Sequence, residues 1–354
     1  MSGPYSAWIG IFAFCLPGVA QQGAIQPAPP PAEADGRIIL NVVANDKSGK
    51  PVAGLQQQDF TILDNKHPQK ILSFQAIAEA TRTGSGVQVV LVVDALNTWF
   101  TKMALVRGQI DRFLRQDGSR LAWPVSIGIF TDAGLDMQPN ASRDGNALAA
   151  YLDQHETGLR TLPRSTGYYG AVERNERSIW ALEQLADKEA NRPGRKLVIW
   201  ISPGWPLLSA TDLGAKDEKT IFHTIVALST RLRNAGITLY AVNPLGSLEP
   251  VGRTFSYQQF LKPVTAPTRA RIGDLGLQVL ASHTGGRVLK SSDVASQIEK
   301  CVRDANAYYV LSFAPPPAVG PNYYNAIEVK IAQHGLKAQT RSGFYGQPVA
   351  SRTP

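Results

Sequence analysis

The middle of the chain alternates continuous apolar runs with amphipathic segments. The apolar runs are rich in β-branched residues, which is typical of parallel strands buried on both faces; they cover residues 87–93, 124–131, 196–202 and 237–243. Apolar residues three or four positions apart predict helices after these runs. The predicted helices cover residues 103–116, 143–155, 168–190, 217–234, 270–283 and 292–306. This alternation predicts an α/β fold with a Rossmann-like, mostly parallel sheet that carries helices on both faces.

Both ends of this α/β block are bordered by short β-like segments. Strand patterns at 37–46, 60–65 and 71–78 have hairpin-like spacing, which predicts a small antiparallel unit. Further strands are predicted near the C-terminus, over 308–314, 326–333 and 337–343. Because chain termini often lie close together, we expect the two sets to pair into a small β-sandwich-like module. The chain is therefore expected to divide into five segments. They are a signal peptide (1–20), a Pro-rich linker (21–36), an N-terminal β segment (37–80), the α/β block (84–306) and a C-terminal β segment (307–346).

The N-terminal segment has the features of an export signal. Residues 1–32 carry no charged side chain, and the apolar run at 7–16 is too short to cross a bilayer. Small residues follow at 18–20, so 1–20 is interpreted as a signal peptide and 21–36 as a Pro-rich linker, although no basic residue lies near Met1. A buried N-terminal helix is the alternative. Export predicts a secreted or periplasmic protein without a transmembrane segment after signal removal.

Composition excludes several classes of protein. The chain has 354 residues, of which 44% are hydrophobic and 18% charged, so intrinsic disorder is excluded. Two cysteines exclude a disulfide scaffold, and the mature chain keeps only Cys301, expected in the core. The net charge of +8 is spread out with no run of five basic residues, so no nucleic-acid partner is predicted. Zinc-hydrolase, nucleophile-elbow and phosphate-loop motifs are absent from the sequence.

The residues just beyond each apolar run are the natural place for a site, because open α/β sheets bind ligands there. Three segments stand out, VVLVVDALNT, STGYYGA and KLVIWISPGW. In this order they resemble a von Willebrand factor type A domain. The flanking segments KSGKPVAGLQQQDFTILDNKHPQKI and YYVLSFAP are similar to those of the VWFA-related group described from Acidobacteria. The resemblance covers residues 37–345 and implies a type A domain over 84–306.

Type A domains often hold a divalent cation at a metal-ion-dependent adhesion site. The resemblance places three retained oxygen ligands of this site at Asp94, Thr98 and Thr166. Two further ligand positions fall on Leu96 and Pro203, which offer no side-chain oxygen, so the implied Mg²⁺ site is incomplete. Asn97 or Ser202 would supply an oxygen if the loops shift by one residue. We expect no tight metal, and instead a loop anchor in which Asp94 and the two threonine hydroxyls hydrogen-bond.

Aromatic residues follow the same loops. They are Trp99, Phe100, Tyr168, Tyr169 and Trp205. Exposed aromatics around one rim would mark a patch for protein binding, whereas packing beneath the loops would make them core. The favoured function is therefore an exported, adhesion-like protein-interaction module without a catalytic residue, binding an unknown protein or envelope partner. The alternatives are a metal-dependent hydrolase and a structural component of the cell envelope.

Overall fold

The structure is a computed structural model that describes residues 36–78, 86–155, 167–206, 214–246 and 257–346. The predicted signal peptide and almost all of the predicted linker lie outside the described residues. Within the described part, no helix is both long and apolar enough to cross a membrane.

The chain folds into a mixed α/β structure with one mostly parallel sheet and two antiparallel sheets. The strands are β1 (Ile38–Asn45), β2 (Phe60–Asp64), β3 (His67–Gln69), β4 (Ser73–Ile77), β5 (Gln88–Asp94), β6 (Arg120–Thr131), β7 (Gly134–Met137), β8 (Ser142–Asp144), β9 (Lys196–Ile201), β10 (Ile237–Asn243), β11 (Val288–Lys290), β12 (Tyr308–Phe313), β13 (Tyr323–Ile331), β14 (Lys337–Gln339) and β15 (Gly343–Gly346). The α-helices of the described part are α1 (Phe100–Leu114), α2 (Gly145–Gln154), α3 (Gly167–Ala190), α4 (Ala215–Asn234), α5 (Leu277–His283) and α6 (Val294–Val302).

The seven-stranded sheet has the order β11-β10-β9-β5-β6-β7, with β8 also paired to β6. Strands β5, β6, β9, β10 and β11 are parallel, whereas β7 and β8 run antiparallel to β6. The chain first adds β6 on one side of β5 and later adds β9 on the other side. The direction of winding therefore reverses between β5 and β9, which is where doubly wound sheets form their ligand crevice.

Helices cover both faces of this sheet, as the alternating pattern predicts. Helices α1, α2 and α6 bury Ile110, Leu148 and Ile298 against one face. Helices α3, α4 and α5 bury apolar side chains against the opposite face. The sequence pattern predicts that Leu105, Ile110, Phe113 and Leu114 share one stripe of α1, and this prediction is wrong at Leu105, which is 50% exposed. Met103 and Val106 occupy the buried face instead, because they precede the buried Ile110 by seven and four residues, whereas Leu105 precedes it by five and lies on another side of the helix.

The β segments from the two ends of the chain pair with each other and form a sandwich-like module. One sheet has the order β14-β1-β12-β4, and the other has the order β15-β13-β2-β3. Leu40, Phe313 and Ile62 belong to a single apolar core between the two sheets. The predicted pairing of the ends is confirmed, but the predicted antiparallel unit of the three N-terminal strands is wrong. Strands β1 and β4 both flank β12, whereas β2 pairs with β13, because the core between the sheets needs apolar strands on each side.

The sheet that contains β1 is a middle layer of the molecule. Along β12, Tyr309 and Leu311 face the core of the sandwich, whereas Tyr308 and Val310 join the core of the α/β block. The period of two in a strand places successive side chains on opposite faces, so one strand serves both cores.

Buried polar contacts also join the sandwich to the α/β block. Arg287 Nη2 lies 2.7 Å from Asp304 Oδ1, and the Asp304 carboxylate is fully buried. From the sandwich, Gln339 Nε2 donates to Asp304 Oδ2 at 2.9 Å. Asn45 Oδ1 accepts from Arg287 Nη2 at 3.0 Å. Because each buried charge finds several partners, these contacts fix how the sandwich meets the α/β block.

Candidate functional site

The carboxyl ends of β5 and β9 meet at the edge where the winding of the sheet reverses. Asp94 is the last residue of β5, and Ser202 directly follows β9. The chain turns sharply after Asp94, because the backbone N–H of Asn97 donates to Asp94 Oδ1 at 2.8 Å. This local bond closes a short loop over the end of the strand.

The Asp94 carboxylate is fully buried and surrounded by N–H donors. Trp200 Nε1 donates to Oδ2 at 2.9 Å, and Asn97 Nδ2 lies 3.0 Å from Oδ2 and 3.2 Å from Oδ1. Burial raises the pKa of Asp94, because a charged carboxylate is disfavoured away from water, and the hydrogen bonds from Trp200 and Asn97 oppose this rise. The group is thus a desolvated acid held by neutral donors.

Helix α3 connects the loops along this edge. Asn97 Nδ2 donates to Ser178 Oγ at 3.0 Å, and Asn175 Nδ2 donates to the carbonyl oxygen of Pro206 at 3.2 Å. The guanidinium of Arg177 donates to the carbonyl oxygen of Asp132, beyond the end of β6. One helix therefore positions the loops that follow β5, β6 and β9.

The residues present do not fit the divalent cation that the family resemblance implies. Three different N–H groups point at the oxygens of Asp94 and occupy the directions in which a cation would bind. Leu96 packs in the apolar core, and Pro203 offers no side-chain oxygen at the position of the second carboxylate. Asn97 turns its amide nitrogen, not its oxygen, toward Asp94. The oxygens of the Asp94 carboxylate therefore accept hydrogen bonds from protein N–H groups where a cation would otherwise bind.

The predicted anchor of Asp94 and two threonine hydroxyls is wrong at Thr98. Thr98 is buried, but its hydroxyl has no hydrogen-bond partner in the part of the chain that the structure describes. Thr166 lies outside the described residues. Asn97 and Trp200 make the anchoring bonds instead, because the turn brings the Asn97 amide directly over the carboxylate.

Two of the five predicted aromatic binding residues are exposed at this edge. Trp99 follows the Asp94 loop and is 65% exposed, and Tyr169, in the first turn of α3, is 83% exposed. The prediction for Trp205 is wrong, because its side chain is 0% exposed. Trp205 packs edge-on against Trp200, with ring centroids 5.3 Å apart, and belongs to the core beneath the loops. The side chains of Phe100 and Tyr168 lie outside the described residues.

Trp200 is the residue at this site that the sequence analysis missed. It lies in β9, directly opposite Val92 of β5 in the register of the sheet. Its indole N–H reaches Asp94, and its ring also packs against Phe130 at a centroid distance of 5.6 Å. The available signal was a tryptophan inside an otherwise aliphatic strand, because a buried indole N–H requires an acceptor.

A second buried carboxylate, Asp274, gives a measurable dependence of stability on pH. It lies before α5, where its Oδ2 accepts from the backbone N–H of Arg271 at 2.7 Å, yet burial raises its pKa from 3.8 to about 6. Below pH 3.8 the Asp274 carboxyl is protonated in both the folded and the unfolded state. As pH rises toward 6, the unfolded state loses this proton first, so the unfolding free energy of the protein falls. The difference corresponds to about 3 kcal/mol of unfolding free energy.

We therefore expect Asp274→Asn to remove this pH dependence. Urea unfolding of the wild type and the variant between pH 3.8 and pH 6 measures it. The stability of the wild type relative to the variant is expected to fall by about 2 kcal/mol across this range, because the carboxyl is only half-titrated in one of the two states at each end of it. A difference that stays constant with pH would show that Asp274 titrates alike in both states.

Comparisons with known proteins give only distant likenesses. No protein-family model matches the chain, and no curated protein matches it. The chain is similar to the TFIIH p34 N-terminal domain, with 12% identity over 61% of this chain and 96% of that chain and a TM-score of 0.27. It is also similar to the pilus adhesin SpaC from Lactobacillus rhamnosus GG, with 12% identity over 84% of this chain and a TM-score of 0.37. The chain spans only 43% of the adhesin's length. Likenesses at these TM-scores carry neither a family nor a function over to this chain.

Proposed function

We propose that this chain is an exported type A-like domain protein of the VWFA-related group, and that it binds a protein partner through the rim above Asp94 without a metal ion. The order of motifs along the chain supports the family, together with the reversal of winding between β5 and β9. The sandwich built from both ends of the chain supports the same assignment, because the resemblance extends over both flanking segments.

The exposure of Trp99 and Tyr169 carries the proposal of partner binding. Both large aromatic side chains lie at the carboxyl edge of the sheet and remain mostly in water. Tryptophan and tyrosine are enriched among residues that contribute most to the binding energy of protein interfaces. Asp94, the only retained carboxylate of the adhesion site, is enclosed beneath this rim and does not reach a partner. Apolar contact thus takes the place that a metal has in other type A domains.

The site favours binding over hydrolysis. A hydrolytic carboxylate must contact its substrate or an attacking water, whereas Asp94 is fully buried under Trp200 and Asn97. The raised pKa of Asp94 follows from burial in the protein, not from a second acid beside it. The absence of charge from residues 1–32 and the apolar run at 7–16 support the proposal of export, and with it a partner in the envelope or outside the cell.

The double substitution Trp99→Ala with Tyr169→Ala is expected to lower partner capture at least about tenfold, because each side chain is of the type that forms interface hot spots. The measurement is affinity capture of envelope proteins by the full mature chain, quantified by mass spectrometry. Addition of EDTA is expected to leave capture unchanged.

Tyr323→Ala is the matched control, because this tyrosine is 43% exposed but lies on β13 of the sandwich. We expect it to bind as the wild type does. Thermal unfolding of both variants checks that the fold is intact. Equal capture by the double variant and the wild type would contradict the proposal, and so would loss of capture on chelation.

A further inference from the structure

A proline-rich loop connects β12 to β13 at one end of the sandwich. Residues 314–318 belong to no helix or strand, and Pro315, Pro316 and Pro317 follow one another directly. Proline fixes its own φ near about −65°, and a residue that precedes a proline is confined to extended conformations. Both constraints act on Pro315 and Pro316. This stretch is therefore held in the polyproline II conformation before any partner binds.

The loop is fixed at its base and presents apolar side chains to water. Ala318 packs closely on β15, since a Cβ added at Gly346 would lie 3.0 Å from the Cβ of Ala318. Pro316 and Pro317 are exposed, and Val319 is 86% exposed. A rigid apolar segment thus stands in water on a fixed base, and its exposed side chains are available for contact with another protein.

The loop lies at the opposite edge of the parallel sheet from the aromatic rim of Trp99 and Tyr169. Phe313, the last residue of β12, packs against Phe344 with ring centroids 6.4 Å apart. Arg233 lies over the same Phe344 ring at 5.8 Å, and it stands at the end of α4, just before β10 begins at the amino edge of the sheet. Strand β10 spans seven residues, about 23 Å, from this edge to the carboxyl edge. The loop therefore does not contact the rim of its own chain.

The rim and the loop are chemically complementary. Grooves that bind polyproline II segments are lined by aromatic side chains, and a segment that is already rigid loses little entropy on docking. Neither surface carries a charged side chain in its own segments, which are 314–324 for the loop and 95–101 and 167–172 for the rim. Contact between the two therefore buries no charge of these segments, and charges buried without a partner are what most often opposes association.

We propose that the aromatic rim of one chain binds the proline-rich loop of a second copy of this chain. This inference rests on the proposed function of the rim and names its partner. Because the two surfaces differ and lie at opposite edges, the contact is head-to-tail and adds chains one after another instead of closing a symmetric dimer. The chain has a net charge of +8, so copies repel one another at low ionic strength and associate as added salt screens this repulsion.

Sedimentation velocity of the full mature chain, over a range of protein and salt concentrations, tests the proposal. We expect monomers at low ionic strength, and dimers and longer species as both concentrations rise. Trp99→Ala is expected to weaken self-association about tenfold or more, because it removes an aromatic anchor. The double substitution Pro316→Ser with Pro317→Ser is expected to weaken it to a similar extent, because the loop must then be ordered on docking. Thermal unfolding checks that each variant is folded.

A mixture of the two variants identifies the head-to-tail contact. The Trp99→Ala chain keeps its loop and the proline variant keeps its rim, so an equimolar mixture is expected to form dimers but no longer species. Pro68→Ser is the matched control, because Pro68 is an exposed proline on β3 of the sandwich, outside the loop. We expect it to associate within about twofold of the wild type, as is usual for exposed positions outside an interface.

The possible outcomes separate this inference from the proposed function. A mature chain that stays monomeric in every condition would overturn the inference, whereas loss of envelope-protein capture in Trp99→Ala with Tyr169→Ala would still support the proposed function. Self-association that Trp99→Ala abolishes and the proline variant retains would indicate contact between two rims and would also overturn it. A mixture of the variants that remains monomeric has the same meaning. Self-association that neither variant weakens would contradict the role of the rim in both proposals.

Discussion

Gly194→Ala is expected to lower the unfolding free energy by about 3 kcal/mol or more. Gly194 lies just before β9 with φ +90°, a conformation that costs an L-residue about 1–2 kcal/mol. An added Cβ would also lie 2.7 Å from the carbonyl carbon of Gly86 and closer still to its oxygen. Both obstacles are backbone atoms, so no side chain can rotate away, and overpacking adds about 1–3 kcal/mol. Urea unfolding measures the loss.

Gly54→Ala separates the two causes. Gly54 has φ +91°, nearly the same conformation, but a Cβ there meets no atom within 4 Å. We expect this variant to lose only the conformational part, about 1–2 kcal/mol. Equal losses at the two positions would show that the close approach of Gly86 has no energetic effect.

Asp94→Asn is expected to destabilise the protein by about 2–4 kcal/mol at neutral pH. The asparagine has nearly the same shape, but its NH₂ group must face one of the donors that now bind the carboxylate, Trp200 Nε1 or the Asn97 amide. Buried donors without an acceptor cost about 1–3 kcal/mol each. Relief of the buried charge offsets part of this loss. Urea unfolding followed by tryptophan fluorescence measures the net effect.

The pH dependence of the same variant has a defined sign. Burial raises the pKa of Asp94 in the folded state, so its stabilising contribution is fully present below the pKa of the unfolded chain and declines as pH rises through the folded value. Asparagine does not titrate, and the deficit of Asp94→Asn is therefore expected to grow toward acid pH. Asp132→Asn, just beyond β6, is the control and is expected to change stability by less than about 0.5 kcal/mol. A deficit that shrinks on acidification would contradict the burial of Asp94.

The sequence predicts the buried strands closely because their pattern is continuous. Residues 196–202 are predicted as a strand, and β9 covers Lys196–Ile201. The edge strands β7 and β8 are missed, because three or four partly polar residues have no period that distinguishes them from a loop. The pairing partners of β1 and β2 are missed as well. Hairpin-like spacing favours local pairing, whereas burial of both apolar faces selects partners from the other end of the chain.

The sequence also predicts part of the site, but not the direction in which its aromatic side chains point. An acid that ends an apolar run marks Asp94, because such a group needs partners wherever the run is buried. An aromatic residue after a strand gives no sign of its direction, and so Trp205 resembles Trp99 in sequence although one is core and the other exposed.

Pairing between the two ends of the chain determines the order in which the protein is able to fold. Strand β1 pairs through Ile38 with Phe313 of β12, so the first strand of the described residues has no partner until the chain has been made as far as β12. The α/β block between them has its strands and helices close in sequence and is free to fold earlier. While the chain is being synthesised, β2 is able to pair locally with β3, but β1 has no partner strand, and unpaired apolar strands tend to associate with other chains. We therefore expect closure of the sandwich to be the last and slowest step, since it joins the most distant segments of the described chain.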